Sequence, residues 1–528
     1  MGMGFHPGAG MTNDGLEGHE RGENLVLTGS SLTLEEVARV AAGEGMVISL
    51  STDAREAVER SRRFVEQLLE GSDQIYGVTT GFGRLAEGVI PSSQRSDLQT
   101  NLVRSHSAGV GRPLETAVVR AILLLRANSL ARGHSGCRVE VVERLVELLN
   151  RRIHPRVPEA GSVGASGDLA PLAHVALSLL GEGEVEWNGE VRPTEEVYGE
   201  TGLEPLKLLE KEGLALINGT QATTGLGILS FLRAESALET AEVAGAMTLE
   251  GLKGTPEAFR EEAQAVRPHP GQATTASRLR FLLRDSEIRE SHRYGDPRVQ
   301  DAYSLRCMPQ VHGAAREVMG YVRRILETEA NSTTDNPLVL PEAECVVSAG
   351  NFHAQVVAQS LDFMAMGLAD LAAISERRIE RLLNPDLSGH SPFLTRDPGL
   401  QSGFMIAQVT AVDLLAEMRV LAHPASVDSV PTSANQEDHI SMGLTAARKV
   451  RRSVECLEYI LGIELICGAQ AVDDLAPLKP GQGVKKAHQA LRREVEPLAR
   501  DRVLAPDLEK AAALVRAGVF AEISRDGS

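Results

Sequence analysis

The chain has 528 residues, with 54 Lys and Arg against 72 Asp and Glu, which gives a formal net charge of −18. This excess of negative charge argues against nucleic acid and anionic membrane surfaces as partners. No stretch of about 18 consecutive apolar residues occurs, so the composition predicts neither a membrane span nor a signal peptide.

The five cysteines are an odd number and contain no Cys-x-x-Cys pair. This usage predicts reduced thiols in a cytoplasmic protein. His134 and Cys137 have a metal-like His-x-x-Cys spacing, but one pair makes no metal site, so we expect none.

Residues 1–30 are rich in Gly, Asp, Glu and Asn, which predicts a disordered tail. A capped helix start follows at Ser31–Val37, and a second helix is expected over about Ala54–Glu70. The segment Gln74–Gly83 has three glycines within seven residues, too irregular for a helix or strand. It is either a plain surface loop or a lid that carries Tyr76.

His106 lies in a polar stretch, where a lone histidine is more often structural than a ligand. Helices are predicted from about Leu114 to Leu130 and from Val139 to Asn150. Asn188-Gly189, between short strand-like runs, predicts a β-hairpin.

The stretch Gly161–His174 contains Ala165-Ser166-Gly167 and then an apolar run that predicts a helix up to Gly181. An isolated Ala-Ser-Gly is usually a turn or helix cap. The amide nitrogen of Gly167 is unhindered, however, and in a tight bend it could attack the carbonyl carbon of Ala165. This ring closure would release one water, and loss of the Ser166 hydroxyl would release a second. The product would be an electrophilic methylidene ring made from the chain itself.

Two other glycine-loop chemistries fit this stretch badly. A phosphate loop requires Gly-Lys-Ser/Thr, whereas Gly167 is followed by Asp168. A nucleophile elbow requires Gly-x-Ser-x-Gly, and the final glycine is missing here.

From Leu214 onward the pattern is almost wholly helical. Asn218 stands in a polar triplet that interrupts the apolar start of one helix, and it is either a site residue or a buried helix start. Apolar residues at spacings of three and four predict long helices in a bundle. They recur at Val357, Leu361, Met364, Leu368 and Leu371, and again at Leu444, Ala447, Val450, Val454, Leu457, Leu461 and Leu465.

Four polar islands interrupt this scaffold, each of which taken singly is a cap or a salt-bridged surface patch. They are Gln300–Cys307, Thr333–Pro337, Gly350–Gln355 and Ser433–His439. In the first island Tyr303 and Arg306 are three residues apart and would share a helix face.

Together with the Ala-Ser-Gly loop, these islands resemble the aromatic amino acid ammonia-lyases over roughly residues 30–525. The resemblance implies a mainly α fold, with a long central helical bundle and a mixed N-terminal portion that carries the Ala-Ser-Gly loop. It also implies a homotetramer with shared active sites. We divide the chain into the tail, an N-terminal portion at 31–225 and the bundle with C-terminal helices at 226–528.

In this family Ala165-Ser166-Gly167 becomes 4-methylideneimidazole-5-one, so no dissociable cofactor is expected. By the same resemblance Tyr76 is the base for the β-proton, and Arg306 fixes the substrate carboxylate. Asn218 and Tyr303 are expected to hydrogen-bond the ring and the substrate.

The expected substrate is L-histidine, giving trans-urocanate. Histidine-specific members resemble this chain at Ser105-His106, at Phe352 and at Glu437, which follows Gln436 in the fourth island. A carboxylate and an imidazole suit a ring with its own proton to share. The candidate substrate-binding residues are therefore His106, Arg306, Phe352, Gln436 and Glu437.

Thr79 and Gln355-Val356 depart from the histidine pattern and resemble the tyrosine and phenylalanine branch. A tyrosine or phenylalanine lyase, or an aminomutase, therefore stays open as an alternative. A non-catalytic helical oligomer is a more distant one.

Overall fold

The computed structural model describes residues 23–70, 80, 90–296 and 298–525. Tyr76 and Thr79 lie outside these ranges, so the predictions made for them stay predictions.

The described chain is dominated by α-helices, which confirms the predicted mainly α fold. In chain order they are α1 Leu34–Ala42, α2 Thr52–Leu69, α3 Arg95–His106, α4 Thr116–Ala131, α5 Val139–Asn150, α6 Leu169–Leu179, α7 Thr194–Thr201, α8 Glu212–Ile217, α9 Gln221–Gly251, α10 Glu261–Ala265, α11 Pro270–Leu282, α12 Glu287–Ser291, α13 Tyr303–Arg306, α14 Met308–Ala330, α15 Gln355–Leu383, α16 Pro385–Ser388, α17 Met405–Leu421, α18 Gly443–Asp473, α19 Gln482–Arg492, α20 Ala505–Arg516 and α21 Val519–Arg525.

Short strands pair in four small sheets of the described chain. They are β1 Asn24–Leu27, β2 Val47–Leu50, β3 Val110–Pro113, β4 His154–Pro155, β5 Pro158–Ala160, β6 Glu184–Trp187, β7 Glu190–Pro193, β8 Leu338–Leu340 and β9 Cys345–Val347. The sheets are β1-β2, β3-β5, β4-β6-β7 and β8-β9, of which β1-β2 is parallel and the others are antiparallel.

Two sequence predictions about strands have different outcomes. The hairpin at Asn188-Gly189 is confirmed, because both residues have positive φ (53° and 80°) between β6 and β7. The prediction of a disordered tail is wrong for its last residues, because Asn24–Leu27 pairs with β2 and buries Leu25 and Leu27. Three consecutive apolar residues, Leu25–Leu27, show no alternation and are too short a run to predict a strand.

Helices α9, α14, α15 and α18 pack against one another and form the centre of the molecule. The predicted apolar seams are confirmed, because every residue of the α15 and α18 series is at most 1% exposed. Helix α9 runs through residue 225, at which we divided the chain, and that division stays a prediction.

The predicted single helix start around Asn218 is wrong. Helix α8 ends at Ile217, Asn218 is extended (φ −91°, ψ 97°) and α9 begins only at Gln221. The break arises because Gly219 pairs its backbone with Gly167, a contact that helical backbone could not make.

Helix α15 is long and apolar enough to cross a membrane by length and composition. However, 67% of its most apolar window is buried inside the fold, as in the core helix of a globular domain.

A buried carboxylate joins α9 to the loop before α19. Glu250 is 3% exposed and accepts hydrogen bonds from the amide of Gly481 at 2.9 and 3.1 Å. Burial raises the pKa of Glu250 to about 7, against the opposing hydrogen bonds from Ser286 and Gly481. Between pH 4.5 and about 7, the folded state therefore keeps a proton on Glu250 that the unfolded chain releases.

We expect the free energy of unfolding to fall as the pH rises from 4.5, the ordinary pKa of the group, to about 7. The fall should amount to about 3 kcal/mol, because the folded state binds more protons than the unfolded state in this window. Glu250→Gln, which retains an acceptor for Gly481, should flatten this dependence in urea titrations at several pH values. Equal slopes in the two proteins would contradict the assignment.

Candidate active site

The Ala-Ser-Gly loop is pressed against the break between α8 and α9. Gly167 has φ +79°, and a Cβ built on it would lie 2.6 Å from the carbonyl carbon and 2.7 Å from the nitrogen of Gly219. Asp168 N donates to Gly219 O at 2.6 Å. Only glycine fits at position 167. Any other residue would be strained at this positive φ, and its Cβ would collide with backbone atoms of Gly219.

The other end of the loop is held by the segment that precedes α18. Ser441 Oγ donates to Gly164 O at 3.1 Å, and Met442 N donates to Val163 O at 2.9 Å. Gly164 has φ +67°, and a Cβ there would overlap the Ser441 hydroxyl. The loop is thus fixed at both ends by residues that lie far from it in the chain.

Asp168 occupies the N-cap position of α6, but its side chain does not cap that helix. It is fully buried and accepts from Thr223 N at 2.7 Å, Thr223 Oγ1 at 2.9 Å and Ser162 Oγ at 2.8 Å. The carboxylate therefore satisfies the first turn of α9 and ties the loop to it. Burial raises the pKa of Asp168, although these hydrogen bonds oppose the shift.

The Ser166 hydroxyl contacts the fourth polar island directly. Its Oγ donates to Glu437 Oε1 at 2.9 Å, and Thr432 Oγ1 donates to Glu437 Oε2 at 2.7 Å. Two predicted site residues, 271 positions apart in the chain, thus meet.

Glu437 is presented by a strained turn. Ser433, Ala434 and Asn435 all have positive φ (51°, 52° and 65°), and Thr432 pairs with Glu437 across the turn. Non-glycine residues rarely adopt this conformation, and such strain concentrates at functional sites.

Asn218 is buried next to the Gly167–Gly219 contact and is 2% exposed. Its Nδ2 donates to Asn336 O at 2.9 Å, whereas its Oδ1 has no partner within the described chain. A carbonyl oxygen only accepts, so this contact fixes the orientation of the amide.

His106 lies at the last turn of α3 with its Nδ1 2.9 Å from Leu102 O. Because that carbonyl accepts, Nδ1 carries the proton and Nε2 is an acceptor in the neutral ring.

Tyr303 and Arg306 share a face of α13, as predicted, with the guanidinium carbon 4.5 Å from the centre of the tyrosine ring. Tyr303 is 70% exposed, and the buried Nε of Arg306 has no partner in the described residues. No hydrogen bond or ion pair found within the described chain joins this pair to Ser166.

Phe352 is half-buried next to His353, whose ring stacks on that of His439 at 5.9 Å. Because His439 follows Glu437 by two positions, this stack brings the second island to the fourth. Gln436 is exposed and, within the part of the chain described, has no side-chain contact with Ser166.

Sequence reasoning missed several residues that shape the site. Asn336 was noted only within a polar island, and Asp168 only as the residue that excludes a phosphate loop, although each makes a contact across more than 50 positions. No local pattern marks Ser441, a single serine 277 positions from Gly164. Among the described residues, no cluster of three or more His, Cys, Asp or Glu side chains could hold a metal ion.

The family model described as aromatic amino acid lyase matches residues 32–493. A histidine ammonia-lyase from Natranaerobius thermophilus is 50% identical over 493 residues, covering 93% of this chain and 97% of that protein.

Solved structures are similar as well. Histidine ammonia-lyase from Trypanosoma cruzi aligns at 42% identity with a TM-score of 0.88, covering 96% of this chain and 95% of that one. Tyrosine aminomutase from Streptomyces globisporus aligns at 40% identity with a TM-score of 0.90, covering 96% and 99%.

We expect Gly167→Ala to block ring closure, because the added Cβ would meet Gly219 backbone atoms at 2.6–2.7 Å. Intact-mass measurement should give the unmodified chain for this variant, and the wild-type chain lighter by two waters. Gly189→Ala is the matched control: it has a similar φ (+80°) but nothing within 4 Å, so it should lose stability and still lose both waters. A fully dehydrated Gly167→Ala chain would contradict the steric argument.

Proposed function

Because this chain belongs to the aromatic amino acid lyase family, we propose that it eliminates ammonia from L-histidine and releases trans-urocanate. The observation that carries the choice of substrate is the contact between Ser166 and Glu437, which puts a carboxylate at the electrophile loop.

The residues present fit the self-formed ring of the family. Gly167 lies against Gly219 with no room for a side chain, and the unpaired Asn218 Oδ1 is buried beside this contact. Once formed, the 4-methylideneimidazole-5-one supplies an electron-accepting carbon that ordinary side chains lack. No dissociable cofactor is needed.

Glu437 and His106 present acceptor atoms that suit an imidazole substrate. Glu437 is fixed by Thr432 and by the turn before it, and a His106 ring that carries its proton on Nδ1 has its acceptor on Nε2. An imidazole N–H can donate to such atoms, whereas a phenyl ring leaves them unpaired, at a cost of about 1–3 kcal/mol for each. This asymmetry favours histidine over phenylalanine.

The remaining roles follow the family resemblance. Arg306 would hold the substrate carboxylate, because a guanidinium grips two oxygens at once and its Nε has no partner in the described chain. Tyr303 and Asn218 would hydrogen-bond the ring and substrate, Phe352 and Gln436 would line the site, and Tyr76 would take the β-proton.

A tyrosine- or phenylalanine-directed lyase or aminomutase is the second candidate. The similarity to tyrosine aminomutase from Streptomyces globisporus supports it, because the two folds align with a TM-score of 0.90. The fold therefore does not distinguish these activities. The residues around the substrate ring must distinguish them.

We expect the purified protein to convert histidine to a product with the ultraviolet absorbance of urocanate. Glu437→Gln should lower kcat/KM for histidine by about tenfold to a hundredfold, because a charged hydrogen bond is lost. Ser166→Ala should abolish turnover but keep the fold, as judged by circular dichroism. Formation of cinnamate or coumarate without urocanate would reject histidine as substrate.

We propose that the chain assembles with copies of itself, as a homotetramer. Apolar side chains are 40–59% exposed on α15 and α17, which pack against each other: Phe363 and Met366 on α15, and Ile406 and Val409 on α17. Exposed apolar patches on a well-packed chain mark interfaces. A second copy would also offer partners to the exposed Tyr303 and to the unpaired Nε of Arg306.

Light scattering on the purified protein should give about four times the chain mass of 56.6 kDa. Phe363→Glu combined with Ile406→Glu should break the assembly and abolish turnover, because charges would be buried in the interface. Val266→Glu, on a side chain 85% exposed outside these helices, should change neither property. A monomeric and fully active wild-type protein would contradict the proposal.

The cytoplasm is the proposed location. All five cysteines are unpaired, and Cys137, Cys456 and Cys467 are buried. Thiols that stay reduced favour a reducing compartment.

A further inference from the structure

A fully buried ion pair lies between α8 and the turn that precedes β8. Lys211 Nζ is 2.8 Å from Asp335 Oδ2, and both side chains are 0% exposed. Neither residue has been given a role in the reaction proposed above. Removing two charges from water is costly, and an apolar pair of similar volume is often at least as stable. A contribution to stability is therefore a weak explanation for this pair.

The pair leads to Asn218 through two further hydrogen bonds. The second carboxylate oxygen of Asp335 accepts from Asn336 N at 2.7 Å, and Asn336 O accepts from Asn218 Nδ2 at 2.9 Å. Asn336 Oδ1 also accepts from Ala349 N at 2.7 Å, which fixes the residue from its other side.

Helix α8 closes this arrangement into a loop. Lys211 is the residue before the first turn of α8 and Asn218 is the residue after its last turn, so both ends of the helix bind the same Asp335-Asn336 turn. All six residues of α8 are buried, and Lys211 itself has a positive φ of 74°. The strained backbone at Lys211 and the fixed amide of Asn218 indicate that the fold holds both ends of α8 in one position.

A parallel set of buried hydrogen bonds holds the neighbouring residues. Arg126 Nη1 donates to Gln221 Oε1 at 2.9 Å, and Gln221 Nε2 donates to Thr334 Oγ1 at 2.7 Å. A Cβ on Gly219 would overlap the Arg126 guanidinium and lie 2.9 Å from Thr334 O. The backbone that follows Asn218 is thus enclosed by polar groups.

We propose that the Lys211–Asp335 ion pair is a positioning device, which sets the Asn336 carbonyl so that the Asn218 amide is held in one orientation beside the electrophile loop. Lys211 and Asp335 are positioning residues, because they act through Asn218 and do not touch the Ser166 loop themselves. The inference rests on the function proposed above, in which Asn218 contacts ring and substrate.

A double-mutant cycle tests this inference. Lys211→Met with Asp335→Asn removes both charges but leaves an acceptor for Asn336 N. In the wild-type background we expect kcat to fall by about tenfold to a hundredfold, because a misplaced active-site group loses much of its effect. KM should change little and intact mass should still show loss of two waters. In an Asn218→Ala background the same pair of changes should cost nothing further.

The matched control is a second fully buried pair of the described chain, Arg378–Glu464, between α15 and α18. Arg378→Met with Glu464→Gln should lower thermal stability but keep kcat per dehydrated chain. A readout independent of turnover is the crystal structure of each variant: the Asn218 Nδ2 to Asn336 O contact should be lost only when Lys211 and Asp335 are changed.

Equal losses of kcat in the wild-type and Asn218→Ala backgrounds, or an unmoved Asn218 amide, would overturn the inference. If the paired variant is insoluble, Lys211→Gln, which keeps a donor for Asp335, replaces it in the same cycle. The cycle uses whichever aromatic amino acid the wild-type protein deaminates. Failure with histidine would thus reject the proposed substrate, whereas additivity with any substrate would reject the positioning role.

Discussion

The contact between Gly167 and Gly219 is the constraint on which the rest of the site depends. The two backbones approach so closely that Gly167, which also has a positive φ, has no room for a Cβ. A Cβ on Gly219 would overlap the Arg126 guanidinium on its other side. The approach breaks the helix between α8 and α9, places Asn218 at the break and lets Asp168 bind the first turn of α9. The conformation of the Ala-Ser-Gly loop is therefore set by the whole fold and not by the tripeptide alone.

The buried charged side chains in this region fix the geometry of the site more than they stabilise the fold. Asp168, Lys211 and Asp335 are fully buried, and each binds a group at a helix terminus or turn around the loop. Removing such groups from water costs free energy, as the raised pKa of Asp168 shows. Each of them must therefore find its hydrogen-bond partners within the protein, which favours a single arrangement. The long apolar seams of α15 and α18 supply the stability that offsets this cost.

Much of the fold and part of the site could be predicted from the sequence. The seams of α15 and α18 and the hairpin at Asn188-Gly189 were predicted because 3.6-residue periodicity and turn chemistry are local signals. Ser166 and Glu437 were both chosen as candidates, and the structure joins them by a hydrogen bond. The strand at Asn24–Leu27 and the break at Asn218 were missed, because each is stabilised by a partner far away in the chain.

The sequence by itself determined the chemistry available: a tripeptide able to cyclise, a carboxylate, an imidazole and a guanidinium on a helical scaffold. Only the tertiary structure decided which of these meet, because contacts such as Gly164–Ser441 span 277 positions and leave no periodic trace. It also decided how Asn218 is oriented, since a backbone carbonyl at Asn336 can only accept and so turns the amide nitrogen toward itself.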